Sequence, residues 1–128
     1  MISLPSSVRV FLHAPPTDLR KGFDALCGLV TTAFGQDPTS GHLFLFVNRR
    51  RDRMKILYWD RDGLAIWYKR LEIGSFQIPV TAIKAAAIEM TPTQLSLILS
   101  GIDLRSARQR KRYQRPTPAA EKSISTPL

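Results

Sequence analysis

The side chains best suited to chemistry in this sequence are cations, and they come in runs. Asn48-Arg49-Arg50-Arg51-Asp52-Arg53 places four arginines within six residues. A guanidinium is a planar fork matched to phosphate oxygens, and a loop tip carries such forks out to a nucleic-acid backbone or groove. A charged turn that discourages edge-to-edge sheet pairing is the plainer use of the same residues. Three adjacent arginines exceed what that protection needs. Asp18-Leu19-Arg20-Lys21-Gly22 is the second candidate. Arg20 and Lys21 in the first turn of a helix oppose the macrodipole. Either they form a phosphate site with the free N–H groups there, or they extend into water at a cost of roughly a few tenths of a kcal/mol. A third candidate is the aromatic and basic stretch around Lys55, Trp59, Trp67, Lys69 and Arg70. A sheet face mixing tryptophan with lysine can stack unpaired bases, although ordinary cross-strand packing accounts for most such aromatics.

Catalytic patterns are weak by comparison. His13 and His42 fall in different elements, with no glycine-bracketed serine near either. Cys27 sits mid-helix beside an apolar stripe and reads as packing. Asp18, Asp24, Asp60 and Asp62 each serve more simply as cap, helix surface or turn residue. No Cys/His spacing suits a metal, and neither a GxxxxGK nor a GxGxxG loop occurs. The expectation is a protein without catalytic residues, metal, cofactor or small-molecule substrate.

The elements that must position these groups follow from pattern. Val8 to Leu12 reads as a short strand ended by Pro15 and Pro16, which lack ladder donors. Thr17 or Asp18 then caps a helix running to about Phe34, with Leu19, Phe23, Leu26, Val30 and Ala33 spaced by four and three, and Gly35 stops it. His42 to Val47 is apolar on both faces, as a central strand is. Met54 to Trp59 and Leu64 to Leu71 flank Asp60-Arg61-Asp62-Gly63, a hairpin signal. If that turn holds four residues with a bulge, Lys55, Leu57 and Trp59 share a face with Ala65, Trp67 and Lys69. Met54, Ile56 and Tyr58 then share the other with Ile66, Tyr68 and Arg70. A short strand is expected around Ala87 to Met90. Thr91-Pro92-Thr93-Gln94 is a capping box opening a helix with Leu95, Ile98 and Leu99 on one stripe, ended by Gly101. From Arg105 on, arginines and lysines give way to prolines, serines and threonines, a composition unable to offset its own ordering entropy. The predicted architecture is α+β: an antiparallel β-meander with one long N-terminal helix packed on a face and a short C-terminal helix. One domain covers 1–104, and 105–128 is a flexible, disordered basic tail.

Charge sharpens the reading. The 128 residues carry a net +9, held in two blocks of +5, residues 49–70 and 103–128, with the remainder close to neutral. Clustered excess of this kind is the footprint expected on a polyanion. The nucleic-acid contacts so predicted are Arg20, Lys21, Arg49, Arg50, Arg51, Arg53, Lys55, Lys69 and Arg70, with Arg105, Arg108, Arg110, Lys111 and Arg112 in the tail. A single cysteine excludes an intramolecular disulfide and fits a reducing cytosol. The longest N-terminal apolar run is too short for a signal core or membrane span, so a soluble cytoplasmic protein with no membrane partner is expected.

The order of motifs is also familiar. Thr17-Asp18-Leu19-Arg20-Lys21-Gly22-Phe23-Asp24-Ala25-Leu26, Gly41-His42-Leu43-Phe44-Leu45-Phe46, Asn48-Arg49-Arg50, Lys55-Ile56-Leu57-Tyr58-Trp59-Asp60 and Asp62-Gly63-Leu64 come first. Lys69-Arg70-Leu71-Glu72, Gly74, Phe76, Thr91-Pro92-Thr93-Gln94-Leu95 and Gly101-Ile102-Asp103 follow. As a set, over about residues 3–104, they resemble the TnpB accessory proteins encoded by the second open reading frame of insertion sequence 66 and its relatives. The RNA-guided nuclease of the same name is a different protein. The resemblance implies a non-catalytic helper in transposition, with a separate and larger transposase of the same element as its expected partner, and it assigns no site residues. Combined with the charge pattern, it predicts a DNA-binding accessory protein. A subunit that docks on the transposase and a small RNA-binding regulator stand as alternatives.

Overall fold

A computed structural model of the chain describes residues 7–79 and 87–101. Five strands form one mixed sheet: β1 (Val10–His13), β2 (Leu43–Val47), β3 (Arg53–Asp60), β4 (Gly63–Arg70) and β5 (Ala87–Met90), in the order β4-β3-β2-β1-β5. β1 and β2 run parallel, and every other neighbouring pair is antiparallel. Two short helices complete the fold. α1 (Phe23–Leu29) continues into a π-helical turn, Val30–Phe34, and α2 spans Pro92–Ser100.

This corrects the predicted α+β meander with a long N-terminal helix: the fold is mostly β, its sheet is mixed, and its first helix has seven α-helical and five π-helical residues. The helix starts late because Asp18 closes a turn of its own. Its carboxylate accepts the Arg20 N–H at 3.0 Å and its carbonyl accepts the Lys21 N–H at 3.1 Å, the local alternative that aspartate offers to a helix. Gly22 is extended (φ −100°, ψ −156°), and helical dihedrals begin at Phe23. Gly35 ends the helix in the left-handed region at φ 62°, as its position in the sequence suggested.

The parallel pair arises from a crossover. After Pro15 and Pro16 the chain carries α1 over one face, and β2 then returns beside β1, with the Leu43 N–H donating to the Arg9 carbonyl at 2.9 Å. Strand alternation sends side chains to two cores. One face holds Val10, Leu12, Leu43, Leu45, Val47, Met54 and Ile56 under Leu95 and Ile98 of α2, with Leu71, Phe76 and Ile78 of the chain after β4. The other holds Phe11, Phe44, Phe46 and Leu57 under Leu26 and Val30. β2 is buried on both faces. Each such fully buried large apolar side chain stabilises by about 1.5–3 kcal/mol. Phe34 closes the second core, its ring centroid 5.5 Å from Phe44 and 5.9 Å from Phe11.

The hairpin forms where predicted, with a different register. Asp60 pairs with Gly63, so the loop is only Arg61-Asp62, and Arg61 takes the positive φ (56°). Changing the loop length by one residue flips a strand. Trp67 therefore faces α2 with Ile56, while Tyr68 stands opposite Lys55 on the α1 face. The shared face predicted for Lys55 and Trp67 is overturned. α2 matches expectation: the Thr91 hydroxyl accepts the Gln94 N–H, the Gln94 side chain accepts the Thr91 N–H, and Gly101 ends the helix at φ 79°. Among the described residues no helix is long and apolar enough to cross a membrane.

Candidate nucleic-acid interface

The arginine run is a tight turn built by Asn48. Its side-chain oxygen accepts the N–H groups of Asp52 (3.1 Å) and Arg53 (3.0 Å), while its amide donates to the Asp52 carboxylate at 2.7 Å. The Arg51 N–H closes the turn onto the Asn48 carbonyl at 3.1 Å, with Arg51 at φ 60°. The turn is anchored from behind, since the Arg51 and Asp52 carbonyls accept the N–H groups of Phe76 and Leu71 at 2.6 and 2.7 Å. Arg49 and Arg50 are left exposed at the tip. The turn is rigid at its base and presents guanidinium groups at its end.

The structure brings the first two sequence candidates together. The Thr17 N–H donates to the Val47 carbonyl at 2.8 Å, laying Thr17–Arg20 beside the exit of β2. A cleft of about 230 Å³ opens there, lined by Asp18 and Arg20 on one side, Asn48 and Arg53 on the other, and Tyr68 as a third wall. The Lys55 ammonium donates to the Lys21 carbonyl at 3.0 Å and lies 5.0 Å from the Tyr68 ring centroid. Arg53 sits directly opposite Arg70 across β3 and β4. Facing like charges destabilise a sheet by several tenths of a kcal/mol, roughly.

Some of these cations are already neutralised. Arg20 grips Asp18 through Nε and Nη2, the shortest contact 2.7 Å, although 91% of the Arg20 side chain is exposed. Those side-chain bonds, with the Arg20 N–H, hold the Asp18 carboxyl far below the usual carboxylate range. Arg70 pairs with Glu72 at 3.0 Å. Among the described residues no carboxylate pairs with Lys21, Arg49, Arg50, Arg51 or Arg53. Lys69 is set apart: it pairs with Met54 on the α2 face, away from the cleft. Arg105, Arg108, Arg110, Lys111 and Arg112 lie outside the described residues.

Asn48 as architect of the turn and Tyr68 as a wall of the cleft are absent from the predicted site. Asparagine leading a short polar run was a usable signal for the first. Tyr68 depended on a register the sequence left open. His13 contacts the Thr17 hydroxyl at 3.2 Å, and burial lowers its pKa against the opposing effect of the Pro15 carbonyl. Burial, then the nearby Asp24 charge, raise the Cys27 thiol. The Arg9–Glu89 pair, 2.7 Å at its shortest, ties the lead into β1 to β5. No group of three or more His, Cys, Asp or Glu side chains able to hold a metal occurs among the described residues.

Comparison with known proteins gives a consistent picture. The family model described as IS66 Orf2-like protein matches residues 8–109. The chain is 36% identical over 120 residues to the uncharacterised protein y4jC of Sinorhizobium fredii, covering 94% of this chain and 100% of that one. It is 38% identical over 104 residues to y4hO of the same organism, covering 80% and 89%. No solved structure matches the chain.

Proposed function

Because the chain belongs to the IS66 Orf2-like family of insertion-sequence proteins, we propose that it serves transposition as a non-catalytic accessory protein that grips DNA through one basic edge. The observation that supports this is the meeting of Arg20 and Arg53 at one cleft between the exit of β2 and the start of β3. Lys21 and Arg49, Arg50 and Arg51 adjoin them in sequence, and several of these cations have no acidic partner among the described residues. Phosphate oxygens are the natural counter-charge for such a cluster, and contacts to them position a protein on DNA without reading sequence. The test is titration of the full chain against element-end and unrelated duplexes at several salt concentrations. Similar affinity for both, falling steeply with salt, supports the reading, and a flat response defeats it.

Docking on the transposase is the second reading. It draws on the outer edge of β4, eight residues long, which no strand covers among the described residues. An extended peptide can join such an edge through main-chain hydrogen bonds. Capture of the transposase by a protein that ignores DNA would favour it.

A further inference from the structure

We infer that the cleft beside Tyr68 takes an unpaired nucleotide, so that the basic edge engages single-stranded DNA as well as duplex phosphates; this rests on the DNA-binding reading above. Tyr68 is 49% exposed, one of three large apolar side chains so placed among the described residues. It lies on the α1 face of the sheet, yet α1 packs over Leu57, Leu64 and Ile66 further along the hairpin and leaves the tyrosine uncovered. The ammonium of its register partner Lys55 lies over one face of the ring, 5.0 Å from the centroid, whereas the cleft that Tyr68 lines does not include Lys55. Arg53 stands next along β3 on the same face, opposite Arg70. Arg20 and Arg53 reach the same cleft as the tyrosine.

A half-exposed aromatic ring set into a cleft, with one cation over one face and Arg20 and Arg53 lining the same cleft, offers what a base and its phosphates require together. The ring offers a stacking surface to any base, and the guanidinium groups meet the flanking phosphates. Duplex DNA keeps its bases stacked on each other and has no use for the ring. Arg70 is already paired with Glu72, so it is Arg53, opposite it and without a carboxylate among the described residues, that a phosphate beside the ring would neutralise. Asp18 sets a limit on the wall it shares: its carboxylate opposes a phosphate there, so the strand runs along the Arg53–Tyr68 side.

The experiment uses full-length protein and fluorescence anisotropy with two labelled probes, a thymidine oligonucleotide and a blunt duplex of similar length. Tyr68→Ala and Tyr68→Leu are expected to weaken single-strand binding about 5- to 150-fold, the loss associated with one base–aromatic stack. Duplex affinity and both salt slopes should stay at the wild-type value, because no phosphate contact is removed. Tyr68→Phe keeps the ring and should bind as wild type. Photocrosslinking of a 5-iodouracil oligonucleotide to the wild-type protein should mark Tyr68, a result that does not depend on how the variants fold. Unchanged single-strand affinity in both Tyr68→Ala and Tyr68→Leu, or equal losses on both probes, overturns the stacking site while leaving duplex binding intact. A wild type that binds neither probe removes the DNA reading itself, and this site with it.

Discussion

Replacing Arg49 and Arg50 by alanine together isolates phosphate contact from everything else the basic edge does. Both side chains are exposed, and neither has a carboxylate partner among the described residues. Arg51 is better left in place, because it is half-buried, holds a positive φ and lends its carbonyl to Phe76. The double variant should therefore melt as wild type, within about 0.5 kcal/mol. Of the cations of this edge without an acidic partner among the described residues, Lys55 is held by the Lys21 carbonyl and the Tyr68 ring, which leaves Lys21, Arg49, Arg50, Arg51 and Arg53. At about 0.9 per phosphate contact they give a log–log salt slope near −4.5 for duplex binding, and removing two brings it to about −2.7. Between about 50 and 200 mM salt, wild-type affinity then falls roughly 500-fold and the variant's roughly 40-fold. Contributions from elsewhere in the chain steepen both slopes, but the difference of about 1.8 remains. The assay is anisotropy titration at four salt concentrations, on two unrelated duplexes to show that the loss is independent of sequence. An unchanged slope with a lost transposase pull-down would refute phosphate contact and make the turn a docking element.

Three other perturbations probe neighbouring parts. Asn48→Ala deletes the acceptor for the Asp52 and Arg53 N–H groups and should cost about 2 kcal/mol, a melting shift of roughly 8–16 °C measured by calorimetry. Asp18→Asn keeps an acceptor for the Arg20 N–H but discharges the ion pair, so the duplex salt slope should steepen by about 0.9; an unaltered slope would show that Arg20 does not reach DNA. His13 has a folded-state pKa held below its ordinary value by burial, so the folded protein resists a proton that the unfolded chain accepts below about pH 6.5. Stability should accordingly fall between pH 7 and pH 5, and melting curves of His13→Gln should show less of that fall.

How much of this was legible depended on range. Thr91, Pro92 and Gln94 specify a helix start with residues three apart, and the capping box formed as read. Gly35, Gly101 and the hairpin around Arg61-Asp62 are equally local. The helix start failed because Asp18 had two local uses and took the turn that bonds Arg20 and Lys21. The hairpin register failed by one residue, because the left-handed position fell on Arg61 and not on Gly63. That single slip moved Trp67 to the far face and made Tyr68 the neighbour of Lys55. The parallel β1–β2 pairing joins residues more than thirty positions apart, and no local pattern encodes it. The site inherits that limit: both basic runs were readable, whereas their meeting at one cleft follows from the crossover.

The pairing of β1 with β5 joins Val10 to Met90, and this sets the order in which the molecule can be completed during synthesis. The ribosome delivers β1 through β4 before β5 and α2 exist, and domains fold as their sequence emerges. Until then β1 has a bare edge, and Val10, Leu12, Leu43, Leu45 and Met54 form an apolar face without the cover of Leu95 and Ile98. A nascent chain paused before Ala87, or a product truncated there, carries an open strand edge and an exposed apolar sheet, the combination that recruits other chains. The last described elements to emerge, β5 and α2, seal the edge and the face together.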